Sequence, residues 1–199
     1  MIVIRDKKLD KNNLAETTDI LTEAFKDDPL YQAIFLNERE LRRYLKLMLD
    51  YFNENGEIHT AVVNDEIVGV SIWNFKGIPF FSIRNALTSG MFGEIFKFLM
   101  ITQVKSLIKL KNEGLITERY HYKREHHYLF MIGSVMKGAG RLLMEYAIEK
   151  FNECPIYLEN SNIKDNKIFY EKLEFHSIKT IDVLGISVDL LTNGKGDQL

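Results

Sequence analysis

Two short stretches hold the residue types from which a reaction centre could be built. The first, MIGSVMKGAGRLLM (residues 131–144), reads as an apolar strand, a turn with glycines at 138 and 140, and a helix that starts at once. Backbone amides at a helix N-terminus lack intrahelical acceptors and sit at the positive end of the helix dipole, so this turn is suited to an anion. A Cβ at Gly138 or Gly140 would hold a pyrophosphate away from those amides, while Lys137 and Arg141 supply charge from the sides. The turn lacks the third glycine of a dinucleotide fingerprint and the terminal Lys-Ser/Thr of a nucleoside-triphosphate loop. Its plain alternative is a tight corner.

The second stretch is NSNIKDNKIFYEKL (residues 160–173), in which Asn166 and Tyr170 are four residues apart and share a helix face. Ile168, Phe169 and Leu173 are expected to make the core contact. The plain reading of Tyr170 is a half-buried aromatic with its hydroxyl in water. Both helices follow strands, and in open α/β sheets ligands gather beyond the carboxyl ends of strands. Of the remaining groups, Glu125, His126, His127 and Glu159 are each able to act as a base if they face a cleft. His121, His126 and His127 invite a metal, but adjacent strand residues point to opposite faces, so no metal site is expected. No nucleophile elbow and no Ser-His-Asp spacing is present.

The elements that must position these residues follow from periodicity. Residues 2–5 read as a strand, and a helix carrying Leu14, Thr17, Leu21, Ala24 and Phe25 is stopped by Asp28-Pro29. A second helix runs from about residue 38 to 52. EIHTAVVNDEIVGVSIW is a hairpin turning at Asn64-Asp65. Residues 80–118 are helical in period, with lysines at 97, 105, 109 and 111 among apolar residues, and are expected to pack on the chain's own sheet. HHYLFMIGS, IYLEN, FHSIKTIDVL and GISVDLLT complete the strands, two helices intervening, and the β-α-β units require parallel crossovers. The fold expected is α/β, a mixed central sheet of about seven strands flanked by helices. It forms one domain over residues 1–192, with a loose tail at 193–199.

Composition bounds the partners. At 199 residues and 46% hydrophobic side chains, the chain suffices for one well-buried core. Its 28 acidic and 26 basic residues are scattered, giving no field for nucleic acid or an anionic membrane. A single cysteine, Cys154, excludes an internal disulfide and fits a reducing compartment. Charge at Arg5 leaves no signal-peptide apolar region, and Glu94 and Lys97 break the longest apolar stretch, so a cytoplasmic location is expected.

The chain resembles the GNAT superfamily of acetyl-coenzyme A-dependent N-acetyltransferases, from AFKDDPLYQAIF through VGVSIW and HHYLFMIG to YLENSNIKDNKIFYEKLEF. Within it, the likeness is greatest to the puromycin acetyltransferase type, which has a comparable Phe-x-Asp-x-Pro segment, a Leu-Glu-x-Ser strand end and an Asn-x-x-Phe-Tyr-Glu-x-Leu-Gly-Phe helix. The resemblance implies that amides around Gly138, Ala139 and Gly140 hold the pyrophosphate of coenzyme A. It implies that the backbone of Met131, Ile132 and Gly133 pairs with the pantetheine arm, that Asn162 or Asn166 bonds the pantetheine amides, and that Tyr170 protonates the departing thiolate. An unperturbed tyrosine in that role would give a falling rate near pH ~10. Two positions depart from the family pattern. Val135 stands where a Gln or Arg is usual, ahead of a shortened loop, and Glu174 replaces the glycine after the helix.

The activity implied is transfer of an acetyl group from acetyl-coenzyme A, as co-substrate and without a metal, to a small-molecule primary amine. Glu159 is favoured over His127 as base, and residues 31–55 and 80–118 are expected to wall the acceptor pocket. The rival readings are a non-catalytic coenzyme A-binding sensor or regulatory module and a protein that docks a partner through its basic helix. Neither the acceptor nor the oligomeric state is legible.

Overall fold

A computed structural model describes residues 1–75 and 83–194. In chain order the elements are β1 (Val3–Arg5), α1 (Lys11–Phe25), α2 (Pro29–Ile34), α3 (Glu38–Asn55), β2 (Glu57–Val63) and β3 (Glu66–Asn74). There follow α4 (Ile83–Thr88), α5 (Phe92–Ile101), α6 (Val104–Tyr120), β4 (His127–Ser134) and α7 (Ala139–Lys150). The chain continues through β5 (Ile156–Asn160), α8 (Ile163–Glu171), β6 (His176–Val183) and β7 (Ile186–Thr192).

Side-chain caps explain where the helices begin. Asp10 accepts from the amides of Asn12 and Asn13, both at 2.9 Å, and starts α1. Asp28-Pro29, expected to stop a helix, also starts one. The Asp28 carboxylate accepts from Leu30 and Tyr31 amides, and Pro29 takes the first helical position, where no N–H is needed. At α3 the Asn37 side chain accepts from the Glu40 amide at 3.0 Å, while Glu40 reaches back to the Leu36 amide. The same buried carboxylate accepts from the Gln103 amide and the Ser106 hydroxyl, so it also sets the start of α6 against α3.

The seven strands form one mixed sheet in the order β1-β2-β3-β4-β5-β7-β6. The β2–β3 hairpin turns through Asn64 and Asp65 at φ 50° and 68°, as those residue types suggest. Two features of β4 prepare a site. Ile72 faces Met131 but Trp73 faces Leu129, so Phe130 is an extra residue, a bulge. Leu129 therefore joins the cluster with Met144, Ala147 and Tyr170, whereas Met131, two residues on, joins Leu21, Leu45 and Phe52 on the other side. The second feature is the parallel pairing to β5, which lasts only from His127↔Ile156 to Leu129↔Leu158. Beyond it β4 runs to Ser134 and β5 to Asn160 with no further ladder between them.

Helices α1 and α3 cover one face of the sheet around β3 and β4, and α7 covers the other. The close approach of α1 to β4 explains Gly133, where a Cβ would lie 2.8 Å from that of Ala24. The expectation that residues 80–118 pack on the sheet holds for α6, which reaches its β6 edge, and needs correction for α5. Helix α5 rests on α3, and α6 touches α2 and β6. Only Phe98 and Ser106 of these two helices are buried, and Phe92, Phe96, Met100, Val104 and Ile108 are exposed. Residues 80–82 of that stretch lie outside the described residues, as do 195–199 of the expected tail. Asn193 is tied in, its side chain accepting from the Ile156 amide at 2.7 Å. No helix among the described residues is long and apolar enough to cross a membrane.

Candidate active site

Where β4 and β5 part, a cleft of about 760 Å³ opens. It is walled by residues 129–134 of β4, the turn at 135–138, Gly140 and Arg141, the end of β5, and Asn162, Asp165, Asn166, Phe169 and Tyr170. Every site residue expected from the sequence except Ala139 lines it. Ala139 is fully buried against Ala61, Val68 and Leu143, and its amide donates to the Met136 carbonyl at 3.2 Å. Gly138 sits at φ 91°, in the left-handed region, as the residue before α7, and no side chain caps that helix. The Gly140 and Arg141 amides, next in the first turn of α7, thus keep their donors for something outside the helix. On β4, the peptide groups that turn toward β5 beyond Leu129 have no strand to pair with. Arg141 is engaged with Glu145 at 2.7 Å, whereas Lys137 is exposed and forms no ion pair among the described residues. Val135, in the shortened loop, is 54% exposed.

Helix α8 brings Tyr170 to this cleft through its C-terminal turn. The Tyr170 carbonyl accepts from the amides of Leu173 and Phe175, both at 3.0 Å, and the Tyr170 ring packs edge-on against Phe169 and Phe175. This closure puts Glu174 at φ 64°, the conformation a glycine would adopt without strain. Tyr170 is 6% exposed, and burial raises its pKa well above the usual tyrosine value. The falling rate expected near pH ~10 therefore moves higher. Asn166 donates to Asn160 at 3.2 Å and Asn162 to Asp165 at 2.9 Å, so neither bonds Tyr170. Phe169 and Leu173 pack inward as expected, but Ile168 is 63% exposed because it lies on the helix's outer side.

A second cleft, of about 680 Å³, meets the first at Phe25, Phe130, Glu159 and Ser161, which line both. Its walls come from α2, α3, α6, β4 and the 121–123 segment, including Tyr31, Ile34, Tyr44, Leu110, Glu113 and Tyr128. Residues 31–55 and 80–118 do contribute to it, through Tyr31, Ile34, Tyr44 and the stretch from Leu110 to Glu118. Glu159 accepts from the Tyr157 hydroxyl at 3.0 Å, and His121 Nδ1 lies 3.7 Å from the same carboxylate oxygen. His121 and His126 approach through their Nε2 atoms at 3.1 Å, and His126 Nδ1 is 2.6 Å from the Arg124 carbonyl. That carbonyl only accepts, so His126 Nδ1 donates. Burial lowers the His126 pKa, and the neutral ring then accepts at Nε2 from His121. His121 Nδ1 is then the ring atom that faces Glu159. His127, the other base considered, points away, pairing with Glu153 at 2.8 Å and stacking on Phe151. Glu125 lines neither cleft.

Four residues of these clefts were given no part in the reaction from the sequence: Asp28, Glu113, His121 and Ser161. Asp28 accepts from the Ser161 hydroxyl at 2.7 Å and so ties the start of α2 to the end of β5. Burial is the main influence on this carboxyl and raises its pKa, against the hydrogen bonds from Ser161, Tyr31 and Leu30. The Asp-Pro pair was an available signal for a cap, Ser161 closes the Leu-Glu-x-Ser strand end, and the histidine cluster pointed to a metal instead; Glu113 depends on long-range packing that no local pattern marks.

No family model matches the sequence, and no curated protein matches it. Solved structures do. A Corynebacterium glutamicum protein described as histone acetyltransferase HPA2 and related acetyltransferase superposes with a TM-score of 0.68 at 19% identity, over 96% of this chain and 95% of its own. An N-acetyltransferase from Staphylococcus aureus Mu50 gives 0.64 at 14% identity, over 96% and 99%. A mosquito arylalkylamine N-acetyltransferase-like protein gives 0.57 at 17%, over 96% and 99%. The chain thus has the mixed α/β fold seen in acetyltransferase structures, with its seven-stranded sheet flanked by helices.

Proposed function

We propose that this protein is an N-acetyltransferase that moves an acetyl group from acetyl-coenzyme A to a primary amine. The observation that carries this reading is the meeting of two clefts at Glu159, just where β4 and β5 separate. One cleft has the features that a phosphorylated thioester with an amide-bearing arm requires. The free donors before and within the first turn of α7 and the Lys137 ammonium suit the pyrophosphate, and the unpaired β4 edge at Met131, Ile132 and Gly133 suits the arm by strand addition. Asn162 and Asn166, at the start of α8, offer further polar contacts in the same cleft. When bound there, acetyl-coenzyme A supplies an acyl carbon activated by a thiolate leaving group. The fold neighbours named as acetyltransferases support the same reading.

The transfer forms a bond from the amine nitrogen to the acetyl carbon and breaks the carbon–sulfur bond. The nitrogen sheds a proton and the sulfur gains one. An amine of pKa near ~10 is mostly protonated at pH 7, so it must be deprotonated before it attacks. Glu159 accepts that proton at the junction, with the His121 ring beside it. Tyr170, on α8, donates toward the sulfur. Asp28 holds Ser161 and with it the rim of the junction.

Thiol release with a panel of primary amines tests the reading. The wild type should release coenzyme A only when an amine is present. Glu159→Gln should lower kcat by about 10²-fold or more, the usual worth of a positioned base, with acetyl-coenzyme A affinity unchanged. Equal rates in the two proteins would remove Glu159 from the mechanism, and amine-independent release would refute the transfer itself.

A further inference from the structure

Glu113, on α6, borders only the second cleft, whereas Glu159 borders both. Among the described residues no hydrogen bond or ion pair holds the Glu113 carboxyl, and the aromatic residues Tyr31, Tyr44 and Tyr128 line the same cleft. The acyl transfer described above uses Glu159 and leaves Glu113 without a task. The carboxyl is expensive to ionise as it stands: burial and then the charge of Glu159 push its pKa up to about 8. A positive group entering the cleft relieves both effects, because it partners Glu113 and offsets Glu159. Tyrosine faces favour the same charge.

The other charged groups of the lining do not fill this place. Lys111, Glu118 and Lys123 are exposed at the rim, and His121 is half-buried beside Glu159. The nitrogen that attacks must be neutral and must lie at the junction, by Glu159. A cation at Glu113 is therefore a second centre on the same molecule.

We propose that the acceptor is an aliphatic amine bearing a second cationic nitrogen, held by Glu113 while the tyrosine-walled cleft encloses the chain between the two nitrogens. This deepens the acetyl-transfer reading of the same site and rests on it. The probes are putrescine and n-pentylamine, which match in length and differ by one ammonium, used with the full chain saturated with coenzyme A for binding and with acetyl-coenzyme A for turnover.

Calorimetry should show putrescine binding at least about tenfold tighter than n-pentylamine, the scale of one hydrogen-bonded charge pair. Glu113→Gln should abolish that preference and leave n-pentylamine affinity within about twofold. Turnover should follow the same pattern, with Glu113→Gln raising KM for putrescine more than it lowers kcat. A melting curve matching the wild type verifies that the variant folds. Putrescine binding that depends on Glu113 without acetylation would keep this inference and sink the transfer reading. Acetylation of both amines with equal efficiency, or equal losses for both in Glu113→Gln, would overturn the inference and leave the transfer reading intact. Failure of putrescine to bind would also overturn it.

Discussion

Removing the phenolic oxygen of Tyr170 separates a catalytic tyrosine from a packed one. Tyr170→Phe keeps the ring that packs against Phe169 and Phe175, and the hydroxyl has no hydrogen-bond partner among the described residues. Stability should therefore change by less than about 0.5 kcal/mol. The chemical effect is larger. A thiol titrates near ~8.5 and an unperturbed tyrosine near ~10, and burial moves Tyr170 higher still. Proton transfer to the sulfur becomes level only when the departing thiolate is itself held out of water and its proton affinity rises with that of the phenol. If the hydroxyl only hydrogen-bonds the thiolate, its loss costs about 1.5–3 kcal/mol, or roughly 10- to 10²-fold. Full general acid catalysis is worth ~10²- to 10⁴-fold. Single-turnover rapid mixing with an accepted amine reads the chemical step free of product release. The rate should fall by at least about tenfold, and the wild type should show no descending limb below about pH 11, given a tyrosine that resists ionisation. Single-turnover rates within about twofold of each other would refute the role, since that is below any hydrogen bond to a charged group.

Four further outcomes are expected. Gly138→Val forces a β-branched residue to φ 91° beside the α7 amides and should weaken coenzyme A binding about 5- to 30-fold by calorimetry, the equivalent of the 1–2 kcal/mol that the left-handed region costs. Gly133→Ala places a methyl 2.8 Å from Ala24 Cβ and should cost about 1–3 kcal/mol in urea denaturation, the usual toll of overpacking. Glu174→Gly relieves the left-handed strain after α8 and should stabilise by about 0.5–1 kcal/mol, seen as a raised Tm. Asp28 binds its proton more tightly folded than unfolded, so its contribution to stability falls as pH rises from ~3.9 through its raised value. Asp28→Asn should flatten the stability-versus-pH curve over that window, and an unchanged slope would show that burial of this carboxyl is not what sets it.

Much of the sheet was legible because its strands are locally marked. Asn64-Asp65 signalled a turn by residue type, and the alternation and order of the later segments fixed the parallel crossover at β4 and β5. Gly138 and Lys137 were placed in the cleft because they lie at a strand-to-helix junction, and Tyr170 because it lies on the helix that follows β5. What local pattern cannot show is how strands separate. The Phe130 bulge sends Leu129 and Met131 to opposite faces although alternation puts them on one, and only the register against β3 reveals it. Glu113 carries no signal of its own and His121 signalled only a metal, since each becomes part of a cleft only when α6 packs beside α2 and β6. The exposure of Phe92, Phe96 and Met100 also escaped the reading, because amphipathic spacing tells which side of a helix is apolar and not whether anything covers it.

The central claim is that the acetyl group passes directly from the thioester in the β4–β5 cleft to an amine in the tyrosine-walled cleft. Rapid-quench mass spectrometry of a single turnover, with isotopically labelled acetyl-coenzyme A and an excess of putrescine, tests it most directly. The label should appear on the amine nitrogen as an amide, in step with free coenzyme A and mole for mole, with no labelled acetate. Coenzyme A release matched by labelled acetate, or bound acetyl-coenzyme A left intact beside the amine, would contradict it.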